Sequence, residues 1–292
     1  MNVEKWIQNN CTSLKGKLIA ITGASGDLGK EVSFVLASLG ANLLFINRNK
    51  EKSAKLKSDI LEKYKNIEIR EVILDLENFS NVKENIDKIC NYPIDVLILN
   101  AGAYKLKRKI SDLGFDNVYQ INFISQYYIA KKVLETMKDR KQGKIVVVSS
   151  IAHNYSKINL SDVDFKNNNK CSKVYGNSKR FLMYSFCELF KNEENIKLSI
   201  VHPGISYTNI TSHYPKWIFR FIKYPMKVIF NKPKKASLSI VRGIYDDCGY
   251  LEWIGPRWFN IWGYPSKKRL KSSNIKERTD IFNIAERIYK QL

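Results

Sequence analysis

The chain has few cysteines, little negative charge and no long apolar run. Its five cysteines, Cys11, Cys90, Cys171, Cys187 and Cys248, stand far apart without a CxxC pair, so neither a disulfide framework nor a zinc site is indicated and no metal is expected. No stretch is apolar for the length of a membrane span. Met1 to Lys17 carries Glu4, Gln8, Asn9 and Asn10 where a secretory signal needs an unbroken apolar stretch. A reducing, cytoplasmic setting is the expectation. Acidic residues number 28 against 49 basic ones, a formal charge of +21. Such an excess suits nucleic acid, an anionic membrane or a phosphorylated cofactor, or is a lysine-rich solvated surface. Helix-turn-helix, zinc-finger and aromatic RNP-type patterns are all missing, which argues against nucleic acid.

What is present is an alternation. Apolar runs rich in β-branched residues alternate with helix-period segments from residue 17 to about 202, the pattern of a doubly wound α/β fold with a parallel sheet. The expected strands are Lys17 to Thr22, Asn42 to Asn47, Ile67 to Leu74, Ile94 to Asn100, Gly143 to Ser149 and Lys197 to His202. Beyond Pro203 the alternation fails. A Pro-, Trp- and Lys-rich stretch runs to Lys235, a helical segment follows, and Gly255 to Pro265 reads as loop. The 292 residues are therefore read as one domain, with a substrate lid or membrane-facing segment over 204–235 and a C-terminal extension over 236–292.

Strand Lys17 to Thr22 runs into Gly23-Ala24-Ser25-Gly26-Asp27-Leu28-Gly29 and then into the helix-period segment Glu31 to Leu39. Glycines there let the chain turn tightly and let a pyrophosphate approach the backbone amides at the positive end of a helix. Thr22, Gly23, Ser25, Gly26, Leu28 and Gly29 are the candidate lining, although any tight strand-to-helix turn uses glycine too. Asp27 would repel phosphate unless it points away as a first-turn helix residue. Dinucleotide folds that prefer NAD place an acid at the end of the second strand. Here that strand ends Phe45-Ile46-Asn47-Arg48-Asn49-Lys50, with no carboxylate. Arg48, with Lys50, suits a 2′-phosphate, so NADP(H) is expected over NAD(H); otherwise Arg48 is a surface charge at a helix start.

Carbonyl reduction needs a proton donor for the developing alkoxide, and a tyrosine serves near neutral pH when a nearby cation lowers its pKa. Tyr175 and Lys179, at i and i+4 on a helix expected over Ser172 to Phe190, share one face. The same spacing recurs at Tyr127/Lys131, Tyr128/Lys132 and Tyr264/Lys268. Position singles out Tyr175, which alone follows a buried strand ending in a serine pair, Val146-Val147-Val148-Ser149-Ser150. His153 and His202 read as structural residues at strand ends.

Thr22-Gly23 with the glycine turn, Asp75-Leu76, Asn100-Ala101-Gly102, Asn122, Ser150, Tyr175 with Lys179, and Pro203-Gly204 with Thr208 occur in one order. In this the chain resembles the short-chain dehydrogenase/reductase family, of Rossmann-type fold, over roughly residues 15 to 210. The spacing Gly23, Gly26, Gly29 departs from the usual TGxxxGxG and matches the TGxxGxxG form found elsewhere in that superfamily. The resemblance implies that Asp75 and Leu76 meet the adenine, that Asn100, Ala101 and Gly102 line the cofactor, and that Pro203, Gly204 and Thr208 bracket the nicotinamide and its phosphates. It implies that Ser150 polarises the substrate oxygen, that Tyr175 is the acid or base and that Asn122 holds a water in a proton relay. Lys179 would bind the nicotinamide ribose and depress the tyrosine pKa. Asn47-Arg48-Asn49, Ser149 to His153 and the long Ser150-to-Tyr175 interval are similar to the retinol dehydrogenase and protochlorophyllide reductase branch. That branch implies a bulky lipophilic carbonyl or alcohol substrate and NADP(H). A homo-oligomer is compatible with the fold by analogy. A cofactor-binding scaffold without turnover, or an epimerase or dehydratase on the same scaffold, are the alternatives.

From His213 to Lys235 the sequence is basic and amphipathic. Lys216, Arg220, Lys223 and Lys227 follow helical spacing beside Trp217, Ile218, Phe221, Ile222, Met226 and Ile229, and no acidic residue occurs from Asn195 to Tyr245. A helix lying on an anionic membrane surface has this pattern, and so does a lid packed on a substrate pocket.

Overall fold

The computed structural model describes residues 2–104, 106–155, 158, 160–165, 170–204, 232–270 and 274–292. Thr208 and residues 213–231 of the basic amphipathic segment lie outside them.

Among the described residues eight strands form one sheet in the order β3-β2-β1-β4-β5-β6-β7-β8. They are β1 (Leu18–Thr22), β2 (Asn42–Asn47), β3 (Ile69–Ile73), β4 (Val96–Leu99), β5 (Gly143–Val148), β6 (Ile196–Val201), β7 (Glu252–Trp258) and β8 (Trp262–Arg269). All pairs are parallel except β7 with β8. The central strands are mostly apolar because both faces are covered, while β3 and β8 at the two edges carry exposed charged residues. Ile19, Ile21, Leu43, Phe45, Val146 and Val148 enter one core, while Ala20, Leu44, Ile46, Ile145 and Val147 enter the other. The first core packs under helices α2 (Asp27–Ser38) and α3 (Lys50–Lys63), the second under α4 (Phe79–Cys90), α5 (Ser125–Asp139) and α6 (Cys171–Leu189). A short N-terminal helix, α1 (Val3–Asn10), buries Trp6.

The first six strands lie within a residue or two of their expected bounds. The stretch Gly255 to Pro265, read as loop, is instead most of a β-hairpin made by β7 and β8. Pro256 and Pro265 stand opposite each other in it. They are tolerated because β8 is an edge strand and β7 pairs with β6 only at Ile254, before Pro256. After the one-turn α7 (Pro233–Ala236) and α8 (Leu238–Tyr245), the hairpin extends the main sheet, and a final helix, α9 (Ile275–Gln291), covers α5 and α6. Tyr127 Oη and Lys131 Nζ both donate to Glu286 of α9, at 2.6 and 3.1 Å. One of the alternative Tyr/Lys pairs is thus engaged in helix packing. Arg278 Nε and Tyr250 Oη both donate to Glu188, at 3.0 and 2.6 Å. Among the described residues no helix is long and apolar enough to cross a membrane.

Candidate active site

Parallel strands bring the carboxyl ends of β1, β2, β4, β5 and β6 to one edge of the sheet. At β1 the chain turns through Gly23, whose φ of 65° is left-handed and whose added Cβ would stand 3.0 Å from Ala101 Cα. Gly29 is tighter, since a Cβ there would stand 2.3 Å from Gly23 O. Ser25 N donates to Asn47 Oδ1 at 3.1 Å, which pins the turn to β2. Gly26 is the N-cap of α2 and offers no side-chain cap, unlike the asparagine caps of α1, α3, α4 and α9. The opening turn of α2, including Leu28, thus has no side-chain cap from its N-cap residue, the form that suits an anion at a helix start. Asp27 is the first residue of that helix, where a carboxylate suits the positive helix end.

Beneath the turn, Thr22 Oγ1 accepts from the amides of Asn100 and Ala101, both at 3.0 Å. Asn100 Nδ2 in turn donates to Thr22 O and Gly23 O. The ends of β1 and β4 are therefore tied by side chains. Arg48 is exposed just past β2, its guanidinium 4.0 Å from Glu77. Asp75 follows β3 and accepts from Glu77 N at 3.0 Å, as a turn cap. Leu76 is buried, its carbonyl accepting from Ser125 Oγ.

Asn122 sits in a π-helical turn, Gln120–Ile124, that leads into α5. Its amide is fully engaged: Oδ1 accepts from Ala103 N at 2.7 Å, and Nδ2 donates to Ala103 O at 2.9 Å and Ser178 Oγ at 3.0 Å. These bonds tie Ala103 to α6 through the Asn122 side chain.

On α6, Tyr175 hydrogen-bonds the Ser150 side chain, and the Tyr104 ring meets its ring edge-on at a centroid distance of 5.0 Å. Lys179, only 3% exposed, donates from Nζ to Val148 O at 3.0 Å. Gly102 closes over it, for a Cβ there would stand 3.3 Å from that Nζ. The electrostatics differ from the expectation that Lys179 lowers the Tyr175 pKa. Burial raises the phenol, against the Ser150 hydrogen bond, and burial also lowers Lys179 to about 8. Desolvation outweighs the i, i+4 spacing because Tyr175 is half-buried, Lys179 is taken from water and the ammonium is turned to a backbone carbonyl.

Pro203 and Gly204 follow β6, with Gly204 N donating to His202 Nδ1 at 3.2 Å. His202 stacks on Trp253 at 4.1 Å, and His153 meets the same indole edge-on at 5.2 Å. Burial lowers them to about 3 and about 4, neutral rings in the packing between β6, β7 and α6.

A profile of the short chain dehydrogenases matches residues 17–218. The chain belongs to that family. This short-chain dehydrogenase is 27% identical over 260 residues to the Homo sapiens WW domain-containing oxidoreductase, covering 84% of the chain and 61% of the relative. It is 25% identical over 206 residues to Homo sapiens retinol dehydrogenase 13, covering 69% and 62%. The chain spans about three fifths of the length of these relatives. Its fold is shared with an uncharacterised protein from Mycobacterium Paratuberculosis, at a TM-score of 0.72 and 22% identity over 96% of this chain and 95% of that one. A short-chain dehydrogenase from Sphingobium yanoikuyae in complex with NADPH also shares it, at a TM-score of 0.62 and 17% identity over 78% and 84%.

Sequence reasoning missed three residues that this short-chain dehydrogenase brings to the site. Gln126 bridges Thr22 Oγ1, Ala101 O and Asn122 O. Ser178 joins Asn122 to the Tyr175 carbonyl. Tyr104 walls Tyr175. The first stands one helical turn after Asn122 and the second beside Lys179, signals that were present in the spacing. Nothing local marks Tyr104.

Proposed function

We propose that this short-chain dehydrogenase is an NADP(H)-dependent oxidoreductase that moves hydride to or from the carbonyl or alcohol carbon of a lipophilic substrate. The observation that carries the reading is the Ser150–Tyr175 hydrogen bond beside a buried Lys179 under Gly102. The uncapped α2 terminus at the glycine turn is the feature that fits a pyrophosphate, held by Gly23, Ser25, Gly26, Leu28 and Gly29, with buried Thr22 supporting the turn from beneath. The bound nicotinamide supplies or accepts the hydride. Arg48, with no carboxylate at the end of β2, is suited to a 2′-phosphate, and the NADPH held by the Sphingobium relative agrees. Asp75 and Leu76 would flank the adenine. Asn100, Ala101, Gly102, Pro203, Gly204 and Thr208 would line the rest.

In reduction Ser150 Oγ–H bonds the substrate oxygen, and Tyr175 gives the developing alkoxide its proton. Lys179, with its pKa near 8, can exchange a proton at working pH as well as hold ribose hydroxyls. Asn122 acts as a positioning residue for the loop over Lys179. The lipophilic substrate class rests on the likeness to a retinol dehydrogenase and on the aromatic wall of Tyr104. The test is Tyr175→Phe with Arg48→Asp beside it. Tyr175→Phe should lower turnover by on the order of a thousandfold while NADPH binding, followed by its fluorescence, stays within about twofold. Arg48→Asp should weaken NADPH and spare NADH. Wild-type turnover in the first variant refutes the proton-donor assignment, and an NADH preference in the wild type refutes the cofactor.

A further inference from the structure

The β7–β8 hairpin ends in Arg257-Trp258-Phe259-Asn260-Ile261-Trp262. Because β7 runs parallel to β6, this tip stands at the sheet edge that carries Ser150 and Tyr175. Ile254 is level with Val201 at the end of β6, and Trp258 lies four residues farther on. At about 3.3 Å per residue the hairpin reaches roughly 13 Å past that strand.

Three large aromatics are exposed there: Trp258 at 63%, Phe259 at 81% and Trp262 at 40%. Phe259 and Asn260 have left-handed φ values of 52° and 60°. A turn of that shape is made most easily by glycine, asparagine or aspartate. A phenylalanine at 259 strains the backbone and buries almost nothing, so the turn itself gives no reason for it. Trp258 and Trp262 are a cross-strand pair and so share a face. Gly263 leaves room for the Trp258 ring, since a Cβ there would stand 2.8 Å from the indole Cδ1. The indole is seated against the strand backbone with most of its surface in solvent. No carboxylate occurs from Trp253 to Leu270, Arg257 beside the tip is exposed, and the chain carries +21.

A convex tip of three aromatics falls well short of the roughly 800 Å² that each partner buries in a stable protein complex. It suits the headgroup layer of a bilayer, where Trp and Phe rings settle between water and acyl chains. Arg257, exposed at the tip, selects anionic headgroups, since the hairpin's one carboxylate, Glu252, stands at the far end of β7 beside Lys267.

We infer that the β7–β8 tip is an interfacial anchor that sets Trp258, Phe259 and Trp262 into the headgroup layer of an anionic bilayer. Docked in this way, the sheet edge with Ser150 and Tyr175 faces the lipid. The docking is independent of the oxidoreductase reading, and only delivery of an apolar substrate from bilayer to site rests on it.

The experiment is flotation of the full chain with vesicles of phosphatidylcholine, alone or mixed with phosphatidylserine. The comparison is the double variant Trp258→Ser, Phe259→Gly, in which glycine suits the left-handed φ at 259. Wild type should float with the anionic vesicles. The variant's partition should fall by on the order of tenfold or more, with thermal melting and NADPH binding unchanged. Wild type that stays unbound to both vesicles overturns the anchor. Equal flotation of the variant also overturns it, by placing docking elsewhere on the chain. Concentration-dependent self-association that the variant abolishes, without vesicle binding, makes the tip a protein surface instead. NADPH binding measured without vesicles reports on the cofactor reading whichever way flotation turns out.

Discussion

Lys179 shows how burial can overrule a spacing rule. In the unfolded chain its amine keeps a proton up to about pH 10.5, whereas in the fold it releases one near pH 8. Between those values the unfolded state binds more protons, so stability from this residue rises with pH across that window. Below pH 8 the amine is charged in both states and the fold carries the full cost of a buried ammonium, about 3 kcal/mol. Replacing it by the unbranched apolar Lys179→Met removes that cost and loses the bond to Val148 O. The variant should be more stable than wild type at pH 7 by about 1–3 kcal/mol, with the gap closing between pH 8 and 10.5. Denaturant midpoints at several pH values decide it, and a gap that does not change with pH rules out the buried charge as its source. A residue that destabilises its own fold in this way is consistent with retention for chemistry.

At the scale of elements, the glycine turn after β1 divides into positions that accept a side chain and positions that do not. A Cβ at Gly29 would meet Gly23 O at 2.3 Å and Ala24 Cα at 2.8 Å, both backbone atoms that move only with the turn. Gly29→Ala should therefore cost at least about 2 kcal/mol and weaken NADPH binding as the turn opens. At Gly26 the nearest atom is Gly23 O at 3.3 Å and the backbone is extended, so Gly26→Ala should cost about 1 kcal/mol. Thermal melts of the pair measure the difference, and equal losses would mean that the turn yields to a side chain at 29. This turn was legible because strand, glycines and helix follow one another in sequence. β1, β2, β4, β5 and β6 were legible because strands buried on both faces are mostly apolar runs. The β7–β8 hairpin was not, since Gly255, Pro256, Gly263 and Pro265 punctuate it and only its place at the sheet edge lets them stand. Spacing and position after β5 put Tyr175 and Lys179 forward, and the fold sets them on α6 beside Ser150 and Gly102. What spacing could not convey is where Lys179 points once Val148 O is within reach, or that Asn122 spends its amide on Ala103 and Ser178.

Across the whole molecule, Trp253 joins two buried imidazoles that make the fold sensitive to acid. His202 and His153 titrate at about 3 and about 4 in the fold, with Lys268 near the first and Arg180 near the second opposing protonation further. Once unfolded, both bind protons below about pH 6.5, so stability is lost as pH falls through 6.5 toward 4. Between pH 6.5 and 5 the two together should steepen the loss by about 2 kcal/mol per pH unit. His202→Asn, which keeps an acceptor near Gly204 N, should roughly halve that slope in urea midpoints. An unchanged slope would place the acid sensitivity elsewhere.

The packing of α9 on α5 and α6 carries a consequence in time. Glu286 meets Tyr127 and Lys131 across more than 150 positions of chain, and α9 begins 86 positions after α6 ends, from Leu189 to Ile275. A ribosome adding roughly 5–20 residues per second delivers α9 on the order of ten seconds after α6. For that interval the apolar flank of the Tyr175 helix stands open on the nascent chain. Synthesis is then the stage at which this protein is most exposed to aggregation, and refolding from denaturant, with every helix already present, bypasses that wait.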